Sequence, residues 1–173
     1  MKQNGRIYLN KTLDEQIKSS FIGLIDNVKK LRSPEGCDWC SQSANSLIPY
    51  FIEEVYELID GLDNNDSKNI KEELGDVLLH IVFQSQIASE ERNFTIDDVI
   101  NDINKKLIDR HPDVFNKSNN INHQTNDKFW EKEKQKKKGR KSRLDGIPEI
   151  LPSIISAQRM QEKASSTGFD WDS

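Results

Sequence analysis

Between Glu53 and His80 the chain reads EEVYELIDGLDNNDSKNIKEELGDVLLH, with its acids in two tight clusters that each adjoin an apolar run. Residues three apart on a helix are separated by about 60° of rotation, so Glu54 and Glu57 share one face and Glu73 and Asp76 share another. If the two segments are helices packed antiparallel, as the short connector GLDNNDSKN requires, both pairs meet at one level. Four converging carboxylates repel one another unless cations neutralise them, and an all-oxygen ligand set favours Mg²⁺ or Mn²⁺ over zinc. The chemistry on offer is a divalent-cation cage. The competing reading is a pair of solvated helix faces, where ordinary carboxylates belong.

The elements that must position these acids follow from apolar periodicity. Ile17, Phe21, Leu24, Val28 and Leu31 recur at steps of four and three, predicting a helix of roughly five turns that stops near Arg32, before SPEG. The turn-rich SPEGCDWCSQSANS reads as a loop. A second helix starts near Ser46, with Ile48, Phe51, Ile52, Val55, Leu58, Ile59 and Leu62 on its apolar face, and DNNDS breaks it. A third runs from about Ser67 to Glu90. Gly75 in its interior costs about 1 kcal/mol relative to alanine, which points to a close approach by some other group. Thr95 and Asp98 form a capping-box-like start to a fourth helix, which Pro112 ends. A polar connector then leads to a short charged helix around Phe129 and Trp130, and a last helix runs from Pro152 to a stop at Gly168. Strand-type alternation is nearly absent, so the expected fold class is all-α.

The 173 residues suit one domain, spanning 1–173 with a basic polar connector at about 116–143 and a C-terminal helix. Hydrophobic residues make up 34% of the chain, a thin supply that anticipates a core completed by a second subunit. No apolar run approaches bilayer-spanning length and the start has no apolar leader, so a cytoplasmic protein without membrane contact is expected. Cys37 and Cys40, the two cysteines, rule out a disulfide scaffold. A single CxxC with no second pair and no histidine nearby supplies only half a site, so neither zinc binding nor redox chemistry nor a disulfide is expected there. Acids crowd between Asp60 and Asp113, whereas Lys132 to Arg143 is strongly basic. That asymmetry suggests an anionic ligand near a cation site, or a solvated basic loop.

Taken in order, EEVYE, KEELGDVLLHIVFQ and KLIDRHPDVF resemble the MazG family of nucleoside triphosphate pyrophosphohydrolases. LRSPEGCDWC resembles the family's Trp-containing loop, and LDGIPEILPSIISAQRMQEKASSTGFDW resembles the segment after its first catalytic domain. The resemblance covers roughly Leu13 to Trp171. It implies an α-helical bundle that forms homodimers or homotetramers and hydrolyses NTP or dNTP to the monophosphate and pyrophosphate. It places metal ligands, for Mg²⁺ or substituting Mn²⁺, on Glu54, Glu57, Glu73 and Asp76. It assigns phosphate binding to Lys106 and Arg110, with Asn104 beside them. Two departures bear on base preference: Cys40 stands where the family has an acid, and Ser43-Ala44 where it has Thr-His. His80 replaces a frequent glutamine; it lines the pocket or is an ordinary surface histidine.

On this reading Glu53 orients the attacking water, its alternative being a plain surface residue. Lys106 and Arg110 neutralise the departing pyrophosphate or, alternatively, serve the C-terminal dipole of their helix. Trp39 stacks on the base or anchors the loop by packing. A rival reading from another class is a helical nucleic-acid-binding or regulatory protein that uses the basic 132–143 segment on phosphates.

Overall fold

A computed structural model of the chain describes residues 3–115, 142, 144–165 and 169. The described residues form helices α1 (Gln3–Leu31), α2 (Ile48–Asp63), α3 (Ser67–Glu90), α4 (Ile96–Arg110), the single turn α5 (Pro112–Phe115) and α6 (Ser153–Ser165). Two 3₁₀ turns, Trp39–Ser41 and Asn45–Leu47, lie between α1 and α2. No strand occurs among the described residues, so the fold is all-α as expected. No helix among them is long and apolar enough to cross a membrane. The expected charged helix around Phe129 and Trp130, the Gly168 stop, and the connector with its basic stretch, Ser142 apart, lie outside the described residues. The chain groups into two compact units, Met1–Asn104 and Lys105–Ser173.

In the first unit α2 and α3 form an antiparallel hairpin, and α1 packs on α3. The hairpin turn is built from its own polar side chains. Asn64 reaches back to the Asp60 carbonyl at 2.9 Å, and Asn65 takes a left-handed φ of 55°. The Asp66 carboxylate then caps α3 by accepting from the Lys68 and Asn69 amides at 3.0 and 3.2 Å. At the start of α4 the capping box closes in both directions. Asp98 accepts from the Thr95 amide at 2.8 Å, and the Thr95 hydroxyl accepts from the Asp98 amide at 3.3 Å.

The core of this unit is small: Val28, Cys40, Leu47, Val82, Phe83 and Ile87 are buried together, with Leu24, Ile25, Cys37, Ala44 and Leu79 packed around them. Much of the predicted apolar stripe stays exposed, including Ile17 and Leu31 on α1, Ile52, Ile59 and Leu62 on α2, and Leu74 and Leu78 on α3. Helix α1 also begins at Gln3, well before the stripe from Ile17 that revealed it. Gly75 corrects a second expectation, since among the described residues nothing beyond its own helix backbone and chain neighbours lies within 4 Å of where its Cβ would stand. The tight glycines are Gly36, whose Cβ would run into the Leu31 and Lys30 carbonyl oxygens, and, on the hairpin, Gly61, whose Cβ would meet Asn69 Nδ2 at 2.9 Å and the Ile70 nitrogen at 3.3 Å. Helix α3 crosses α2 there.

The loop after α1 is held by Arg32. Its guanidinium donates to the Glu90 carboxylate at 2.7 Å and to the carbonyls of Cys40 and Gln42 at 2.6 and 3.1 Å. Gln84 adds a bond to the Ala44 carbonyl at 3.0 Å. Removing the guanidinium strands two loop carbonyls and the Glu90 charge together. Arg32→Ala is therefore expected to lower the unfolding free energy by about 2–4 kcal/mol, read as a fall in the denaturation midpoint; an unchanged midpoint would contradict this account of the loop.

In the second unit α6 opens beside Pro152, whose carbonyl accepts from the Ser156 amide at 2.9 Å. Lys163 of α6 is buried and donates to the Asp145 carbonyl at 2.7 Å, and Gly146 next to it takes a φ of 82°.

Candidate functional site

The acidic faces of α2 and α3 meet. Ligand oxygens of Glu54, Glu57 and Glu73 all lie within 4.8 Å of one another, with Glu73 only 6% exposed, Glu54 half-buried and Glu57 exposed. This is the convergence that antiparallel packing predicts. Asp76 stands outside the close trio; its side chain is one methylene shorter, and it acts on the cluster through its charge. Among the described residues no ion pair involves any of the three glutamates.

Burial and the neighbouring charges show in the acidities of Glu54 and Glu73. Glu54 is pushed up to about 7, by burial first, then by the charges of Asp76 and Glu57 and by its hydrogen bond and charge interaction with Glu73. Glu73 is raised as well, by burial first and then by Glu57 and Asp76, while its bond with Glu54 works the other way. With its pKa at about 7, Glu54 holds a proton up to the neutral range. Hard oxygen donors, close convergence and unmet negative charge are what a small divalent cation takes. The donor set fits Mg²⁺ or Mn²⁺.

Beside the trio lies a groove of about 520 Å³ lined by Glu53, Tyr56, Glu57, Asp60, Asn69 and Glu73. Its size suits a small-molecule ligand. Tyr56, Asp60 and Asn69 escaped the sequence reading although the signal was present. Glu53, Glu57 and Asp60 follow an i, i+4, i+7 stripe, and Asn69, Glu73 and Asp76 repeat it on α3. Asn69 also ties the hairpin together by donating to the Glu57 carbonyl at 3.4 Å.

The other expected site residues fall in varied places. Glu53 is exposed and lines the groove. Trp39 is 50% exposed and meets Tyr50 edge-on, with ring centroids 5.4 Å apart at 71°. His80 is buried rather than on the surface, 5.5 Å from the Phe51 ring, with Nδ1 lacking a hydrogen-bond partner. Burial lowers its pKa and outweighs the opposing charge of Asp76. It is not among the groove-lining residues. Asn104 is exposed on α4 in the first unit, while Lys106, exposed, and Arg110, half-buried, belong to the second.

Residues 42–115, which span α2, α3 and α4, match the MazG nucleotide pyrophosphohydrolase domain. Over 154 residues the chain is 49% identical to the nucleoside triphosphate pyrophosphohydrolase/pyrophosphatase MazG of Thermotoga maritima, covering 87% of this chain and 59% of that protein. The chain belongs to the MazG family. The nucleoside triphosphate pyrophosphohydrolase of Escherichia coli K12 is 38% identical over 153 residues, covering 86% of this chain and 58% of its own length. That of Mycobacterium tuberculosis is 33% identical over 159 residues, covering 90% and 48%. The chain thus spans about three fifths of the length of the first two relatives. The MazG match contains the whole acidic hairpin but begins after Trp39, so the carboxylate trio lies inside the shared domain and the CDWC turn lies outside it.

Proposed function

We propose that the chain hydrolyses nucleoside triphosphates, NTP or dNTP, to the monophosphate and pyrophosphate, using Mg²⁺, or Mn²⁺ in its place, held by Glu54, Glu57, Glu73 and Asp76. The observation that carries this reading is the convergence of Glu54, Glu57 and Glu73 at the wall of the groove, within a MazG match. A bound cation supplies positive charge against phosphate oxygens and lowers the pKa of water. Glu54, Glu57 and Glu73 would hold the cation through their carboxylate oxygens, Glu54 releasing its proton, and Asp76 would add its charge. Glu53, exposed at the groove, aligns the attacking water by accepting its hydrogen bond. Trp39 offers the base a half-exposed indole and Asn104 a polar contact, whereas His80, buried against Phe51, would act from behind the groove wall. Lys106 and Arg110 are assigned to the departing pyrophosphate on the family resemblance, and one turn apart on α4 they suit a diphosphate.

Incubation of the pure protein with each nucleoside triphosphate and Mg²⁺, followed by anion-exchange separation, should give monophosphate and pyrophosphate in equal amounts. Chelation should stop the reaction. Diphosphate with orthophosphate as first products would contradict the proposal.

The same reading includes a homodimer or homotetramer, most simply in the cytoplasm. Ile52, Ile59, Leu62, Leu74 and Leu78 are exposed on two adjacent helices, more apolar surface than one short hairpin leaves to water without covering it. Sedimentation should give two or four copies per particle. A strictly monomeric, fully active protein would contradict it.

A further inference from the structure

The CDWC turn is a dithiol whose two sulfurs are placed unequally. Asp38, at φ −56° and ψ −42°, and Trp39, in a 3₁₀ turn, are the two residues that set the separation of Cys37 and Cys40. Both are helical, so the two Cα atoms stand about 5–6 Å apart, inside the span that a disulfide bridges. The two thiols lie close enough for each to shift the other's acidity. Cys40 is buried in the core beside Val28 and Leu47, whereas Cys37 is partly exposed at its edge. The amides of Trp39 and Cys40 favour the charged form of the Cys37 sulfur, as the amides of a helix N-terminus favour an anion. Arg32 pins the Cys40 carbonyl and Ser41 Oγ bonds the Cys37 carbonyl at 3.3 Å, so the turn is already held in the closed shape.

We propose that Cys37 and Cys40 form a reactive dithiol that closes reversibly into an intraloop disulfide when it meets a low-molecular-weight disulfide or a peroxide. Cys37 attacks. Its pKa is lowered, by the Cys40 side chain first and then by the amides, while burial pushes Cys40 up to about 11. With a small disulfide, the Cys37 thiolate forms a mixed disulfide and expels one thiolate. The Cys40 sulfur, giving its proton to solvent, then displaces the second thiolate and completes the Cys37–Cys40 bond. With hydrogen peroxide, Cys37 becomes a sulfenic acid and releases hydroxide; attack by Cys40 forms the disulfide and expels water. Two thiols are oxidised and one peroxide is reduced to two waters. Trp39 lies between the sulfurs, so closure locks the segment that carries the indole. Neither the chemistry nor its test depends on the proposed hydrolysis.

The test treats the native full chain with oxidised glutathione and reads intact mass. The expected product has lost two hydrogens, carries no glutathione and returns to the dithiol with dithiothreitol. Cys40→Ser should retain one glutathione on Cys37, because no second thiol is present to displace it. Cys37→Ser should stay unmodified until the protein is unfolded. A wild-type chain that keeps a glutathione adduct, forms an intermolecular disulfide or remains unreacted under native conditions would overturn the proposal. So would equal reactivity of the two single variants.

Discussion

Glu73→Gln is expected to lower kcat/KM by on the order of a hundred- to a thousandfold, with the helical signal unchanged. The buried carboxylate is the member of the trio that solvent cannot replace, since at 6% exposure its neighbours alone define what reaches the cluster. Glutamine keeps the shape and one oxygen but forfeits the charge that holds a cation. Glu54→Gln and Glu57→Gln should follow the same pattern, and Asp76→Asn should too, through the charge it contributes. Circular dichroism separates loss of the site from loss of the fold. Near-normal turnover in two of these four variants would remove the metal assignment.

The second large effect is in pH. Glu54 sits at about 7, above the range of an ordinary carboxylate, so cation binding at lower pH must displace a proton. The apparent affinity for Mg²⁺, measured by calorimetry in two buffers of different ionisation enthalpy, should rise about tenfold per pH unit below 7 and level off above it. One proton should be released per site in the lower range. The stability of the cation-free protein should run the opposite way. Between the ordinary value of 4.5 and about 7 the folded state holds a proton that the unfolded state has lost, so unfolding becomes easier as pH rises through that window. Glu54→Gln should flatten this dependence and raise the cation-free melting temperature at pH 7.5. A Mg²⁺ affinity independent of pH from 5.5 to 7.5 would contradict the account of a proton held on Glu54.

Much of the hairpin was legible in the chain because its determinants are local. Ser67–Glu90, the Thr95–Asp98 capping box and the glutamate pairs all follow from spacings of three and four. The features that escaped depend on distant partners. Arg32 grips Glu90 across 58 residues, and no periodicity around Arg32 announces that bond. Gly75 stands inside a strong helix, yet the close approaches fall at Gly36, after α1, and at Gly61, where the crossing point depends on how the connector folds. His80 continues the acidic face in sequence, but Phe51 packs on it and takes it out of solvent. The CxxC pair reads as half a site, for zinc or redox chemistry alike, because spacing alone hides that one sulfur is in the core and the other at its edge.

The central claim is that this carboxylate cluster directs water onto the α-phosphorus of a nucleoside triphosphate. The chain has no GxxxxGK[ST] cradle for the β- and γ-phosphates. Pyrophosphate is a far better leaving group than an unaided alkoxide when positive charge meets its oxygens. Hydrolysis in oxygen-18-labelled water, with both products analysed by mass spectrometry, reads the broken bond directly. The account predicts label in the nucleoside monophosphate and none in the pyrophosphate. Label in the pyrophosphate would place attack on the β-phosphorus and contradict it.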